Sequence, residues 1–226
     1  PCCLVGSEMC IRDRNKNNGL VIKSFNLNED KNFIKIKNLV FNEKLQISRL
    51  DEVDLDYLDQ DRQKNSIRLK KDKKKYYLTG SSFNADKFIE ELLSNDDEGS
   101  KIIDINSSLE IDIEKFFLDS EYYLRDFKGD ISIKNNEIQK ANLIGSFSKN
   151  KKLKFTINSV DNNKITTLFV DEAKPLVKRY KLIKGFDEGS LDFYSSKKLK
   201  KSISQIKIYD FKLKELPILT KILTLA

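Results

Sequence analysis

The chain has 226 residues, 39% hydrophobic and 34% charged, with no histidine and no tryptophan. That apolar fraction supplies a core and excludes wholesale disorder, while the missing histidine removes the commonest general base and a frequent metal ligand. A net charge of +7 suggests an anionic partner, but Lys outnumbers Arg 35 to 7, and nucleic-acid sites favour the planar Arg fork, so no nucleic-acid partner is expected.

In chain order, residues 1–14 come first: PCCLVGSEMCIRDR, with all three cysteines (Cys2, Cys3, Cys10) and the only methionine. Three Cys without His complete no four-ligand metal site, have no catalytic base and are an odd count for disulfides. The run CLVGSEMCIRDR resembles a translated sequencing adapter. Arg12 and Arg14 break the Lys-rich usage of the remainder, which agrees with a foreign origin. Residues 1–14 are expected to be disordered or to pack without specific contacts, with no metal and no disulfide. They lack the apolar h-region of a signal peptide.

From Gly19 onward the text is mostly short alternating runs. In FIKIKNLVF, Phe33 falls opposite Ile34 and Ile36. In DEVDLDYLDQD, Asp51, Glu52, Asp54, Asp56, Asp59 and Asp61 interleave with Val53, Leu55 and Tyr57, as on the polar face of a strand. SIRLKKDKKKYYLTG reads as a hairpin with Ile67 and Leu69 leading in, a turn at Lys71–Lys74, and Tyr76 and Leu78 leading out. Later runs place Leu109, Ile111 and Ile113 on one face, then Ile131 and Ile133 before an Asn135-Asn136 turn. Leu153, Phe155 and Ile157 follow, and after ITTLFV come Leu191 and Phe193. Period-two alternation of this kind makes an antiparallel sheet with one apolar and one charged face.

The run SISQIKIYDFKLKEL breaks its own phase. Either a bulge near Tyr209-Asp210 brings Ile206, Ile208, Phe211 and Leu213 to one face, or Tyr209, Phe211 and Leu213 face the core and Ile206 and Ile208 face outward.

Three stretches have helical period. SFNADKFIEELLSN aligns Ala85, Phe88, Ile89, Leu92 and Leu93, with Asn84 as N-cap and Asp86 in the first turn. DEAKPLVKRYKL and KELPILTKILTLA place Pro175 and Pro217 near helix starts, where a missing N–H costs little. The expected fold is mainly β with a few short α-helices, a curved antiparallel sheet forming an open groove or half-barrel. Its parts are 1–14, foreign; 15–94, strands plus an amphipathic helix; 95–101, a polar connection; and 102–226, further strands, stopping mid-pattern as in a fragment. No stretch reaches the ~18 apolar residues of a membrane helix.

No motif carries chemistry. The acidic run lacks the Gly and terminal Glu of a Ca²⁺ loop, no G-x-S-x-G elbow occurs, and GFDEGS lacks the helix start that phosphate binding needs. No enzyme, cofactor or metal is expected.

The C-terminal third carries a more specific signal. LFVDEAKPLVKRYKLIKGFDEGSLDFYS followed by ISQIKIYDFKLKELPILTKILTLA resembles the C-terminal region of the AsmA-like superfamily, in particular YhdP-type proteins. The matching positions are Ala173 and Pro175, Gly189 and Leu191, Asp210 and Phe211, and Pro217 with Leu219, Leu223 and Leu225. LTGSSFNADKFIEELL, around Gly80 and Asn84, also looks like that family. Lys174 and Glu188 stand where the family often has Gly. The resemblance covers about residues 65–226. It implies a periplasmic β-groove, anchored in the inner membrane by a segment missing here, that conducts phospholipid for outer-membrane biogenesis. The groove lining would then be Leu109, Ile111, Ile113, Ile131, Ile133, Leu153, Phe155, Ile157, Leu191, Phe193, Phe211 and Leu213. The alternatives are a structural or adhesive β-domain with a sealed core and, third, a basic nucleic-acid-binding module.

Overall fold

The computed structural model describes residues 7–12, 20–30, 32–43, 45–60, 62–87, 106–134, 137–148, 150–160, 163–180, 182–199 and 201–214. They form one large sheet. Its strands are β1 (Ser7–Arg12), β2 (Val21–Glu29), β3 (Asn32–Phe41), β4 (Ile47–Arg49), β5 (Glu52–Leu58), β6 (Lys64–Asp72) and β7 (Lys75–Asn84). They continue with β8 (Ser107–Phe117), β9 (Tyr123–Lys134), β10 (Glu137–Ser148), β11 (Lys151–Val160), β12 (Asn163–Val170), β13 (Ser190–Lys198) and β14 (Lys201–Tyr209). Strands adjacent in sequence are adjacent in space, apart from the short β4, which pairs with β3 off the main path. The sheet is curved and does not close. Its short hairpins follow from alternating runs separated by polar turns.

One pairing departs from the antiparallel expectation. β7 and β8 run parallel. A parallel pair needs a crossover of a dozen or more residues, and residues 85–106 supply that length. The helix expected there begins as read: Asp86 and Lys87 are helical, and the Asn84 carboxamide oxygen accepts the Asp86 N–H at 3.1 Å. The remainder of that helix, the 95–101 connection and the Asn135-Asn136 turn lie outside the described residues. The hairpin turn expected over Lys71–Lys74 is tighter, because Asp72 already pairs with Lys75. Lys73 takes a positive φ of 54° to close it.

The opening stretch needs correcting too. Ser7–Arg12 is β1, paired antiparallel with β2 from Ser7↔Leu27 to Arg12↔Val21. An exposed strand edge is a row of unpaired N–H and C=O groups that recruits extended chain with little regard to side chains.

The strands crease along a shared line. Register slips between Ser66 and Ile67 against β7, and between Ile144 and Ser146 against β9. Asp126 has a φ of 48°, and on either side of it Leu124 and Phe127, of opposite parity, are both buried. Bulges bend a strand and raise its twist. Glycines make room for it: a Cβ on Gly145 would lie 3.0 Å from the Leu124 Cβ, and one on Gly129 (φ 151°) only 1.9 Å from the Asn142 carbonyl oxygen.

The core lies against one end of this crease. Ile111, Ile113, Leu118, Leu124, Phe127, Leu153, Val170 and Leu191 pack with Ala173, Leu176 and Val177 of the α1 region. The helix α1 (Lys174–Arg179) has Pro175 in its first turn, as expected, and Lys178 and Arg179 in its last, where they complement the helix dipole. Arg179 pins the helix to the sheet. Its guanidinium donates to the Asp86 carboxylate, to the Leu118 carbonyl and, at 2.8 Å, to the Asp86 carbonyl. Next to it Asn65, 1% exposed, accepts the Asn84 N–H at 2.7 Å, and Asn84 donates to Asp59 at 2.6 Å. These polar contacts join the ends of β5, β6, β7 and β8 to α1.

Candidate functional site

Cross-strand partners place their side chains on the same side of a sheet. Following the partners from strand to strand therefore traces what each face presents. One ladder runs Phe25, Ile36, Val53, Leu69, Leu78, Ile111. It passes Gly129 and continues through Leu143, Phe155, Leu168, Phe193 and Ile206. A second runs beside it from Leu27, Ile34, Leu55 and Ile67 through Gly80 to Ile113 and Phe127. Beyond the crease it resumes at Gly145 and ends Leu153, Val170, Leu191, Ile208. At strand spacings of about 4.8 Å, two parallel apolar tracks extend from β2 to β14, perpendicular to the strands.

The tracks are covered unevenly. Under α1 the second is buried: Ile113 is 0%, Val170 2% and Leu191 3% exposed. From β2 to β6 every residue of both tracks is only half-buried. At the β14 edge Ile206 is 48% exposed.

Most of the expected lining residues are brought together. Ile111, Ile113, Leu153 and Leu191 belong to the buried cluster, with Leu109, Ile131, Phe155 and Phe193 packed against it. Ile157 is buried on the same face, opposite Ala141. Ile133 is half-buried opposite Ile138. Phe211 and Leu213 lie off the tracks. Asp210 turns the chain at a φ of 50°, after which Phe211 is 46% exposed, its ring 6.0 Å from that of Phe186. Leu213 forms a bridge with Phe186. Of the two phases weighed for this strand, Ile206 and Ile208 face the tracks, opposite Phe193 and Leu191, and Tyr209 does not.

Other members escaped the sequence pattern. Leu124 and Phe127 straddle the Asp126 bulge, so no single period contains both. Leu143 sits in ANLIGSF, where a glycine takes the core position expected of an apolar residue. Gly129 and Gly145 inside strand runs were the available signal.

The positions that carried the family resemblance converge at one end. The Ala173 N–H donates to the Gly189 carbonyl at 2.8 Å. Gly189 has a φ of 121°, and a Cβ there would lie 2.6 Å from the Tyr209 carbonyl oxygen and 3.0 Å from the Phe211 Cβ. Asp187 joins them: Lys174 and Lys214 donate to its carboxylate at 2.7 and 2.9 Å and hold it below the usual carboxylate range. Pro217, Leu219 and Leu223 lie outside the described residues.

The opposite face is charged and, from β3 to β9, crossed by ion pairs. Lys37 meets Glu52 at 2.8 Å, Arg68 meets Asp54, Lys64 meets Asp56, Lys75 meets Glu110, and Lys128 meets Asp112 at 3.2 Å. The acidic run of β5 is thus a polar strand face. Among the described residues no group of three or more acidic or Cys side chains is placed to hold a metal. No helix among them is long and apolar enough to cross a membrane. Compared with protein-family models, with curated proteins and with solved structures, the chain has no match.

Proposed function

We propose that this chain is a segment of an AsmA-like, YhdP-type protein that binds or conducts phospholipid along its apolar face. The sheet would form a groove or half-barrel. The parent protein would be anchored in the inner membrane through parts not present here and extend into the periplasm, serving outer-membrane biogenesis. The carrying observation is the pair of apolar tracks that continue from β2 to β14. Acyl chains need apolar surface and no reactive side chain, and each buried CH₂ is worth about 0.8 kcal/mol. Ile, Leu, Val and Phe, interrupted only by Gly80, Gly129 and Gly145, meet that requirement. The reading is non-enzymatic and needs no cofactor. The half-burial of the tracks in β2–β6 supports an open face, and the meeting of Ala173, Gly189 and Phe211 supports the family resemblance.

The competing reading, a structural or adhesive domain with a sealed core, draws on α1, which closes the tracks over Leu153, Val170 and Leu191. Photocrosslinking separates the two. A benzophenone side chain at Phe155 or Phe193 is expected to capture phospholipid in a Gram-negative host, and one at Thr79, on the charged face, is not. Capture of protein alone at both apolar positions, with no phospholipid copurifying, would reject the lipid reading.

A further inference from the structure

The charged face is not uniform, and its second half has a different composition. Strands β5–β9 carry nine basic and nine acidic residues. Strands β10–β14 carry nine basic residues, all Lys, and two acidic ones. Among the described residues no ion pair links two strands of β10–β14.

Register shows where those lysines point. Opposite the apolar tracks lies the row Ile144, Lys154, Phe169, Asp192, Lys207. Lys140, Lys152, Lys198 and Lys201 share that side. Between them stand large apolar side chains that a solvated face does not require. Ile144 is 42%, Val160 57%, Phe169 47%, Tyr194 44% and Ile203 76% exposed. No other face of the described sheet exposes so many.

We infer that this face of β10–β14 is a docking surface for an anionic lipid bilayer. It lies on the side opposite the proposed lipid track and goes beyond that reading. Charge complementarity selects an anionic occupant, since nine lysines against two acidic residues, of which only Asp192 lies opposite one of them, Lys207, leave these strands with a surplus of positive charge. The apolar residues then choose among anionic occupants. Aliphatic side chains such as Ile144, Val160 and Ile203 cannot stack on bases, and sequence-tolerant nucleic-acid binding relies on stacking. At a bilayer surface the same side chains enter the headgroup region, with Tyr at the interface and lysines reaching the phosphates on flexible stems. The absence of Arg from these strands agrees, because point-charge attraction to a lipid surface needs no bidentate fork.

The chain has no native Trp, so Phe169→Trp reports on this face alone. With the full chain and phosphatidylcholine vesicles containing phosphatidylglycerol, its emission is expected to shift to the blue. Binding should weaken with salt and vanish on pure phosphatidylcholine. Replacing two lysines, K154Q/K207Q, should weaken partitioning by about thirty-fold. Retained far-ultraviolet circular dichroism would show that the variant still folds. No shift with anionic vesicles at low salt, or binding indifferent to K154Q/K207Q, would overturn the inference. So would a lysine-dependent shift with a single-stranded oligonucleotide and none with vesicles, which would make the face a nucleic-acid surface. Lipid capture at Phe155 is independent of all these outcomes, so either reading can fail alone.

Discussion

At the residue scale, Asp51, which immediately precedes β5, shows how the surface carboxylates are held. Its carboxylate accepts a two-point contact from Arg49, at 2.9 Å on each oxygen, and the Asn38 carboxamide at 2.8 Å. The Arg49 hydrogen bonds hold its pKa below the usual carboxylate range, with Asn38 and the charges of Arg49 and Lys71 adding to them. A carboxyl group depressed in the folded state stabilises the fold above its unfolded value, about pH 4. That contribution is lost as pH falls through the folded value. Asp51→Asn is therefore expected to lower stability by about 1 kcal/mol at neutral pH. The gap to the unsubstituted chain should close in acid, as followed by urea unfolding across a pH series.

The element that decides access to the apolar face is α1. Its six residues are too few to be stable alone. They are held by burial of Leu176 and Val177 and by the Arg179 fork. Leu176→Ala removes a side chain only 8% exposed and is expected to cost about 2–5 kcal/mol. Under lipid conduction it should also widen the open part of the track and increase phospholipid capture at nearby Phe193. Under a sealed core it lowers the melting temperature with no gain of lipid. A short helix within DEAKPLVKRYKL, with proline near its start, was legible in the sequence, because Pro175 and the apolar pair mark a start and a face. That it acts as a partial cover was not, since its partners are distant in the chain, Asp86 lying 93 residues before Arg179.

At the scale of the whole molecule, a sheet this wide has a centre and two edges. The path runs from β1 to β14 with β8 and β9 in the middle, and local opening is easiest where backbone groups have partners on one side only. Hydrogen exchange is expected to be slowest in β8–β10 and fastest at alternate amides of β14. Uniform protection that includes β14 would mean its outer edge is covered by another strand. The same width sets the division of labour between the faces. The apolar tracks run from β2 to β14, whereas the charged side loses its cross-strand ion pairs at β10.

What the amino-acid sequence determined by itself was the local geometry. Alternation with period two identified the later strands and their apolar faces, from Leu109 through Phe193, and the turn residues marked where the chain reverses. These properties depend on near neighbours in the chain, which one sequence displays. The tertiary structure alone decided the parallel β7–β8 pairing, the crease through Asp126 and Gly145, the capture of Ser7–Arg12 by β2 and the phase of β14. It also decided that separate apolar runs join into continuous tracks. Each of these rests on register between strands, and a slip of one residue moves a side chain to the other face. Register is set by pairing across the sheet and by bulges that cancel one another from strand to strand, and neither leaves a periodic trace along the chain.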